Sequence, residues 1–105
     1  MEVRFSHSVR IYLKELIQIL YDKEYFGFEE DAIEYVNNLI DDIVTNIERK
    51  HKKIAPAYFS KFGKNLYYIS YRRNKNTTWH VFFNYAEGIY LIRYIGNNHN
   101  IGQHL

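Results

Sequence analysis

The sequence predicts an α+β fold in a single domain over residues 1–105, and three observations predict it. Apolar residues recur at helical spacing through the first half, alternate every second residue in the second half, and change period just after the only proline, Pro56. The expected order is β-α-α-β-β-β: a short N-terminal strand, then an antiparallel two-helix hairpin packed on a C-terminal antiparallel sheet. A chain of 105 residues is long enough for one core and too short for a second.

Each element has its own signal. Glu2 to Ser6 alternates, with Val3 and Phe5 to one side, and reads as a strand. From about Ser8, Val9, Leu13, Leu16, Ile17 and Leu20 form a helical stripe that is expected to end near Tyr25 or Phe26, with Gly27 as a left-handed stop. Glu29, Glu30 and Asp31 then stand where the positive end of a helix dipole favours carboxylates. Ala32, Val36, Leu39, Ile40, Ile43, Val44 and Ile47 continue as a wide apolar stripe, closed by Arg49, Lys50, Lys52 and Lys53. The short connection makes the two helices a hairpin. Residues 54–65 read as a linker. Strands are expected over 66–73, 79–85 and 89–95, joined by turns at 73–77 and 86–88 into an antiparallel meander.

Alternation sorts the side chains of the meander into two faces. Tyr67, Ile69, Tyr71, Trp79, Val81, Phe83, Tyr90, Ile92 and Tyr94 fall on a mostly apolar face that suits the helices. Tyr68, Ser70, Arg72, His80, Phe82, Asn84, Leu91 and Arg93 fall on the other face, which is mixed, cationic and expected to be open. Arg93 interrupts an apolar strand and calls for a partner or an anion.

Composition narrows the function. Hydrophobic residues at 47% and charged residues at 25% give a globular balance rather than a disordered one. The absence of cysteine excludes disulfides and thiolate metal sites and suits the cytoplasm. No run approaches the roughly 18 apolar residues of a membrane span, and the N-terminus lacks the pattern of a signal peptide. The net charge of +2 hides an asymmetry: residues 1–55 hold 8 Lys/Arg against 11 Asp/Glu, whereas residues 56–105 hold 6 Lys/Arg against Glu87 alone. The second half also carries three of the 5 histidines, so it is the half suited to meet an anion. The aromatic residues, 11 Tyr and 7 Phe, can fill a core or stack on bases.

The stretches KFGKNLYYISYR at 61–72, TTWHVFFNY at 77–85 and IYLIRYIGNNHNIGQHL at 89–105 carry a likeness to a known family. Together with the element order, they resemble the RelE/ParE superfamily of bacterial type II toxins. The resemblance implies a toxin neutralised by a cognate antitoxin protein that wraps the sheet and helices. RelE-like members bind the ribosome and cut mRNA in the A site by metal-independent attack of the 2′-hydroxyl. ParE-like members act on DNA gyrase and cleave nothing. A third reading is a degenerate toxin retained as a binding partner. No cofactor and no metal is expected under any of the three.

For the nuclease, the resemblance nominates residues. His80 stands where the family has a phosphate-holding arginine in its middle strand; histidine there suits proton transfer, or is a plain solvent-facing residue. Arg93 and Arg72 share its face, and either can hold the scissile phosphate through two oxygens at once. The polar tail that ends the last strand brings His99 and His104 near the place where RelE-like nucleases carry a Tyr or His. Lys64, in the Lys- and Gly-bearing loop, is an expected phosphate contact, and Tyr68 and Phe82 are expected to stack on a base or pack on an antitoxin. The lysines that RelE carries along its first meander strand are here Tyr68 and Ser70, so histidine has to serve as the base. Arg73 points to the other face, and His7 and His51 read as surface residues.

Overall fold

A computed structural model of the chain describes residues 1–23 and 26–105. The elements run β1 (Glu2–Phe5), α1 (His7–Asp22), α2 (Glu29–Asn46), β2 (Lys53–Ile54), a 3-10 helix (Ala57–Phe62), β3 (Tyr67–Asn74), β4 (Thr77–Ala86), β5 (Ile89–Asn97), α3 (Asn98–Ile101) and a terminal 3-10 turn (Gly102–His104). Two helices pack against a five-stranded sheet of order β1-β5-β4-β3-β2. The sheet is mixed rather than antiparallel throughout, because β1 lies parallel to β5, pairing Glu2 with Ile89 and Phe5 with Ile92.

The helices start and stop for local reasons. Ser6 caps α1, its Oγ accepting from the amide of Val9 at 3.3 Å. The first helix ends at Asp22, with Lys23 as its cap, earlier than the apolar stripe suggests. Of the two expected end points, Tyr25 lies outside the described residues and Phe26 lies beyond the helix; Gly27 does not adopt the left-handed conformation of a stop. Phe28 precedes α2 without a side-chain cap, and Glu29, Glu30 and Asp31 occupy its first turn.

The main core lies between the helices and the sheet. Val9, Leu13 and Leu16 of α1 and Val36, Leu39 and Ile43 of α2 meet Ile69, Tyr71, Trp79, Val81, Phe83 and Ile92. The indole Nε1 of Trp79 donates to the hydroxyl of Tyr35 at 2.8 Å, so the largest buried side chain has its polar atom satisfied. Arg73 points to the helix side and pairs with Asp42 of α2 at 3.0 Å, half-buried rather than free on the surface.

Two irregularities change the face assignment. In β5, Phe82 faces Tyr94 while Phe83 faces Ile92, so Arg93 is the extra residue of a β-bulge. The bulge reverses the parity of everything after it: Tyr94 lies on the face of Phe82, and Ile95, opposite Val81, joins the helix side. A similar irregularity sits at Arg73 in β3, beside the turn to β4. The β4–β5 turn has positive φ at Glu87 and Gly88 (52° and 80°), as a type I′ hairpin requires.

The second face is not open. Residues 54–65 are not a free linker: β2 adds an edge strand beside β3, and the 3-10 helix folds over the sheet. Phe59 stacks on Phe82 at 4.3 Å between centroids, Phe62 stacks on Tyr94 at 3.8 Å, and Leu66 and Ile101 complete a second, smaller core. A chain of this length thus carries two cores, one on each side of the sheet, because aromatic side chains fill volume at few residues. The tail fits through Gly96, where an added Cβ would lie 2.9 Å from Ile101 Cδ1.

The hydroxyl of Tyr71 is buried without a hydrogen-bond partner among the described residues, and its pKa is raised, first by burial and then by Asp42. Removing that hydroxyl removes an unmet desolvation cost. Tyr71→Phe is therefore expected to keep or raise the unfolding free energy, by up to about 1 kcal/mol, in equilibrium denaturation. A loss of stability would show that the hydroxyl has a partner in solution.

Candidate functional site

The second face gathers cations. Lys53, Lys61, Lys64, Arg72 and Arg93 come from the β2 edge, the 3-10 segment and the meander, and no carboxylate pairs with any of them among the described residues. The one acidic residue after position 55, Glu87, sits in the β4–β5 turn. The two rims of this face differ in chemistry, because the Phe59–Phe82 core stands between them.

One rim is built around His80. Its Nδ1 lies 2.8 Å from Ser70 Oγ, its cross-strand neighbour. The ring of Tyr68 stands edge-on to the imidazole at 6.1 Å. Lys53 of β2 pairs with Tyr68 and holds its Nζ 6.0 Å from that ring. Lys50, just beyond α2, donates from Nζ to the Ser70 carbonyl at 2.7 Å. Lys50, His51, Lys53, Tyr68 and Ser70 line a shallow cavity of about 200 Å³. The pKa of His80 is lowered, first by burial and then by the charge of Lys53, so the ring is held neutral. In the tautomer whose Nδ1–H donates to Ser70 Oγ, Nε2 carries the lone pair that a general base needs.

The other rim is built around Arg93. Its Nη1 donates to Asn84 Oδ1 at 3.1 Å, and Asn84 Nδ2 donates to the Lys64 carbonyl at 2.8 Å. The guanidinium packs over Gly63, where a Cβ would come within 3.3 Å of Arg93 Cζ. Along β4, Asn84 lies four positions beyond His80, about 13 Å at the usual strand rise. His80 and Arg93 therefore share a face without sharing a site.

Of the remaining expected residues, Tyr68 alone joins the His80 rim. His104 stacks flat on Tyr58 at 3.5 Å, outside the second core. His99, in α3, lies beside Thr77 Oγ1 at 3.4 Å and lines a cavity with Tyr35 and Trp79 on the helix side of the sheet. Phe82 is fully buried under Phe59, so it has no face to offer a base, contrary to the expectation for an open sheet. Tyr68 is half-buried and stacks on Phe82 at 5.3 Å. Arg72 is exposed, its Nε donating to the Asn74 carbonyl at 3.2 Å, and the Lys64 side chain is exposed in its loop. No three His, Asp or Glu side chains come together as a metal site among the described residues, and no helix there is long and apolar enough to cross a membrane.

Sequence reasoning missed Lys50, Lys53 and Ser70. The basic run after α2 reads as cations at a helix end, and nothing local signals that β2 returns Lys53 to the sheet beside Tyr68. Comparison of the chain with family models, curated proteins and solved structures finds no match.

The lowered pKa of His80 has a signed consequence. A histidine depressed in the folded state contributes stability that is complete above its ordinary value near 6.5 and is lost as pH falls through the folded value. Thermal unfolding at pH 7.5, 6 and 5 is expected to show wild type losing ground to His80→Gln as the pH falls. Parallel curves for the two proteins would contradict the assigned environment.

Proposed function

We propose that this protein is the toxin of a type II toxin–antitoxin system, RelE-like in fold and acting as a ribosome-dependent mRNA endoribonuclease. The observation that carries the reading is the His80 rim: a neutral, half-buried imidazole held by Ser70, with Lys53 beside it, on a face whose cations pair with no carboxylate among the described residues. In this reading His80 Nε2 takes the proton of the attacking 2′-hydroxyl. Lys53 offsets the charge that gathers on the phosphorane, and His51, which lines with Lys53 and Ser70 the cavity beside this rim, supplies a second imidazole for the leaving oxygen. Arg93 and Lys64 then bind flanking phosphates of the strand rather than the scissile one. The cognate antitoxin covers the apolar groove between α1 and α2, which Ile11, Ile17 and Ile40 line together with Arg10 and Lys14.

The dispersal of Arg93, His99 and His104 favours a second reading, a ParE-like inhibitor that binds DNA gyrase and cleaves nothing. Primer-extension mapping of mRNA on translating ribosomes separates the two. Expression of the protein is expected to produce cuts in the A site, reduced 10²–10⁴-fold by His80→Ala as for loss of a general base, and strongly by Lys53→Ala. Intact mRNA with altered DNA supercoiling would overturn the nuclease reading.

A further inference from the structure

On the helix side of the sheet, the end of the hairpin and the start of α3 enclose a cavity of about 330 Å³ that the cleavage reading does not use. Its apolar part is aromatic. Phe26 and Tyr35 meet at 5.5 Å with their planes tilted by 52°, and Trp79 closes the floor. Its polar part is a set of side chains from five elements: Tyr35 of α2, Asn74 at the end of β3, Thr77 of β4, Asn97 at the end of β5 and His99 of α3, of which Thr77 Oγ1 and His99 Nε2 lie 3.4 Å apart and occupy one another.

The hydrogen bonds already made define what these groups have left to offer. The Tyr35 hydroxyl accepts from the Trp79 indole at 2.8 Å, so its own proton is the part still free. Asn74 Oδ1 accepts from the amide of Asn76 at 2.8 Å, and Asn97 Oδ1 accepts from the amide of His99 at 2.9 Å. Both oxygens are committed to backbone, which fixes the orientation of both amides and leaves both NH₂ groups without a partner among the described residues. The cavity therefore presents donors and aromatic surface, with no carboxylate among the described residues of its wall. A ligand suited to it is flat, aromatic, and carries adjacent acceptors on one edge.

We infer that this cavity binds a purine base with two neighbouring acceptors, as on the N7 and O6 edge of guanine, with Phe26 and Tyr35 against the ring and the amides of Asn74 and Asn97 donating to its edge. The volume lies within the range of small-molecule sites, and an aromatic pocket with a few convergent polar groups is their usual make-up. The inference is independent of RNA cleavage at His80, which lies on the other face. The base can belong to a free nucleotide or to a single strand; its chemistry is the same in both.

Trp79 is the only tryptophan, so the protein has one indole N–H signal and that signal lies at the cavity floor. The test is a titration of the full-length ¹⁵N-labelled protein with GMP, with a G-containing RNA tetramer, and with CMP as control, read at the indole cross-peak. Saturable shifts with GMP identify a free nucleotide as the ligand; saturation by the tetramer alone identifies a base in a strand. CMP is expected to bind at least tenfold more weakly. Asn74→Asp and Asn97→Asp keep the acceptor that each backbone amide needs while replacing the free donor by an acceptor, so both are expected to fold and to weaken binding at least tenfold. An indole signal unmoved by millimolar GMP and by the tetramer, or binding unchanged in both variants, would overturn the assignment.

Discussion

The contact on which the rest of the molecule depends is the stack of Phe59 on Phe82 at 4.3 Å. A sheet with helices on one face leaves its other face to water or to another layer. Here the other layer is the chain's own connecting segment. Pro56 starts a 3-10 helix, that helix lowers Phe59 onto the middle of β4, and both rings become fully buried. The candidate side chains on that face are then arranged around the covered centre. Tyr68 and Tyr94 lean on it from either side, and the tail reaches it through Ile101. The two ionisable rims are pushed apart, His80 with Ser70 to one side and Arg93 with Asn84 to the other.

The bulge at Arg93 is the second constraint. Without the extra residue, strict alternation would turn Tyr94 toward the helices and Ile95 toward the second face. With it, Tyr94 lies under Phe62 and Ile95 joins the main core. The same residue that breaks the register carries the guanidinium, which is turned over Gly63 and held by an amide. Bulges commonly re-aim a side chain at a functional edge. This one gives the β5 strand an apolar residue for each core and places a charge at the boundary of the second.

Much of the scaffold was legible in the residues. The helical stripes of α1 and α2, the acidic first turn of α2 and the period-2 alternation of β3 to β5 follow from burial of one face of each element, and local patterning encodes that directly. What was not legible depends on contacts distant in sequence. The pairing of β1 with β5 joins residues nearly ninety positions apart. Residues 54–65 carry no long periodic run, so AYFSKF reads as linker although Phe59 is wholly buried. His80 and Arg93 are placed on a common face by alternation, yet alternation says nothing of a third layer between them. Lys53 was out of reach because a two-residue edge strand has no pattern to detect. The histidines of the tail stand out in the sequence, whereas the residue that anchors it is Ile101.

The central claim is that the connecting segment is an integral layer of the fold and not a loop resting on a finished domain. Equilibrium unfolding of Phe59→Ala tests it most directly, by circular dichroism together with amide exchange over residues 77–83. If the segment is a layer, the variant loses about 3–5 kcal/mol, as for a large aromatic side chain removed from a core, and protection falls along β4. A loss below about 1 kcal/mol with β4 protection intact would show that the second face is open in solution.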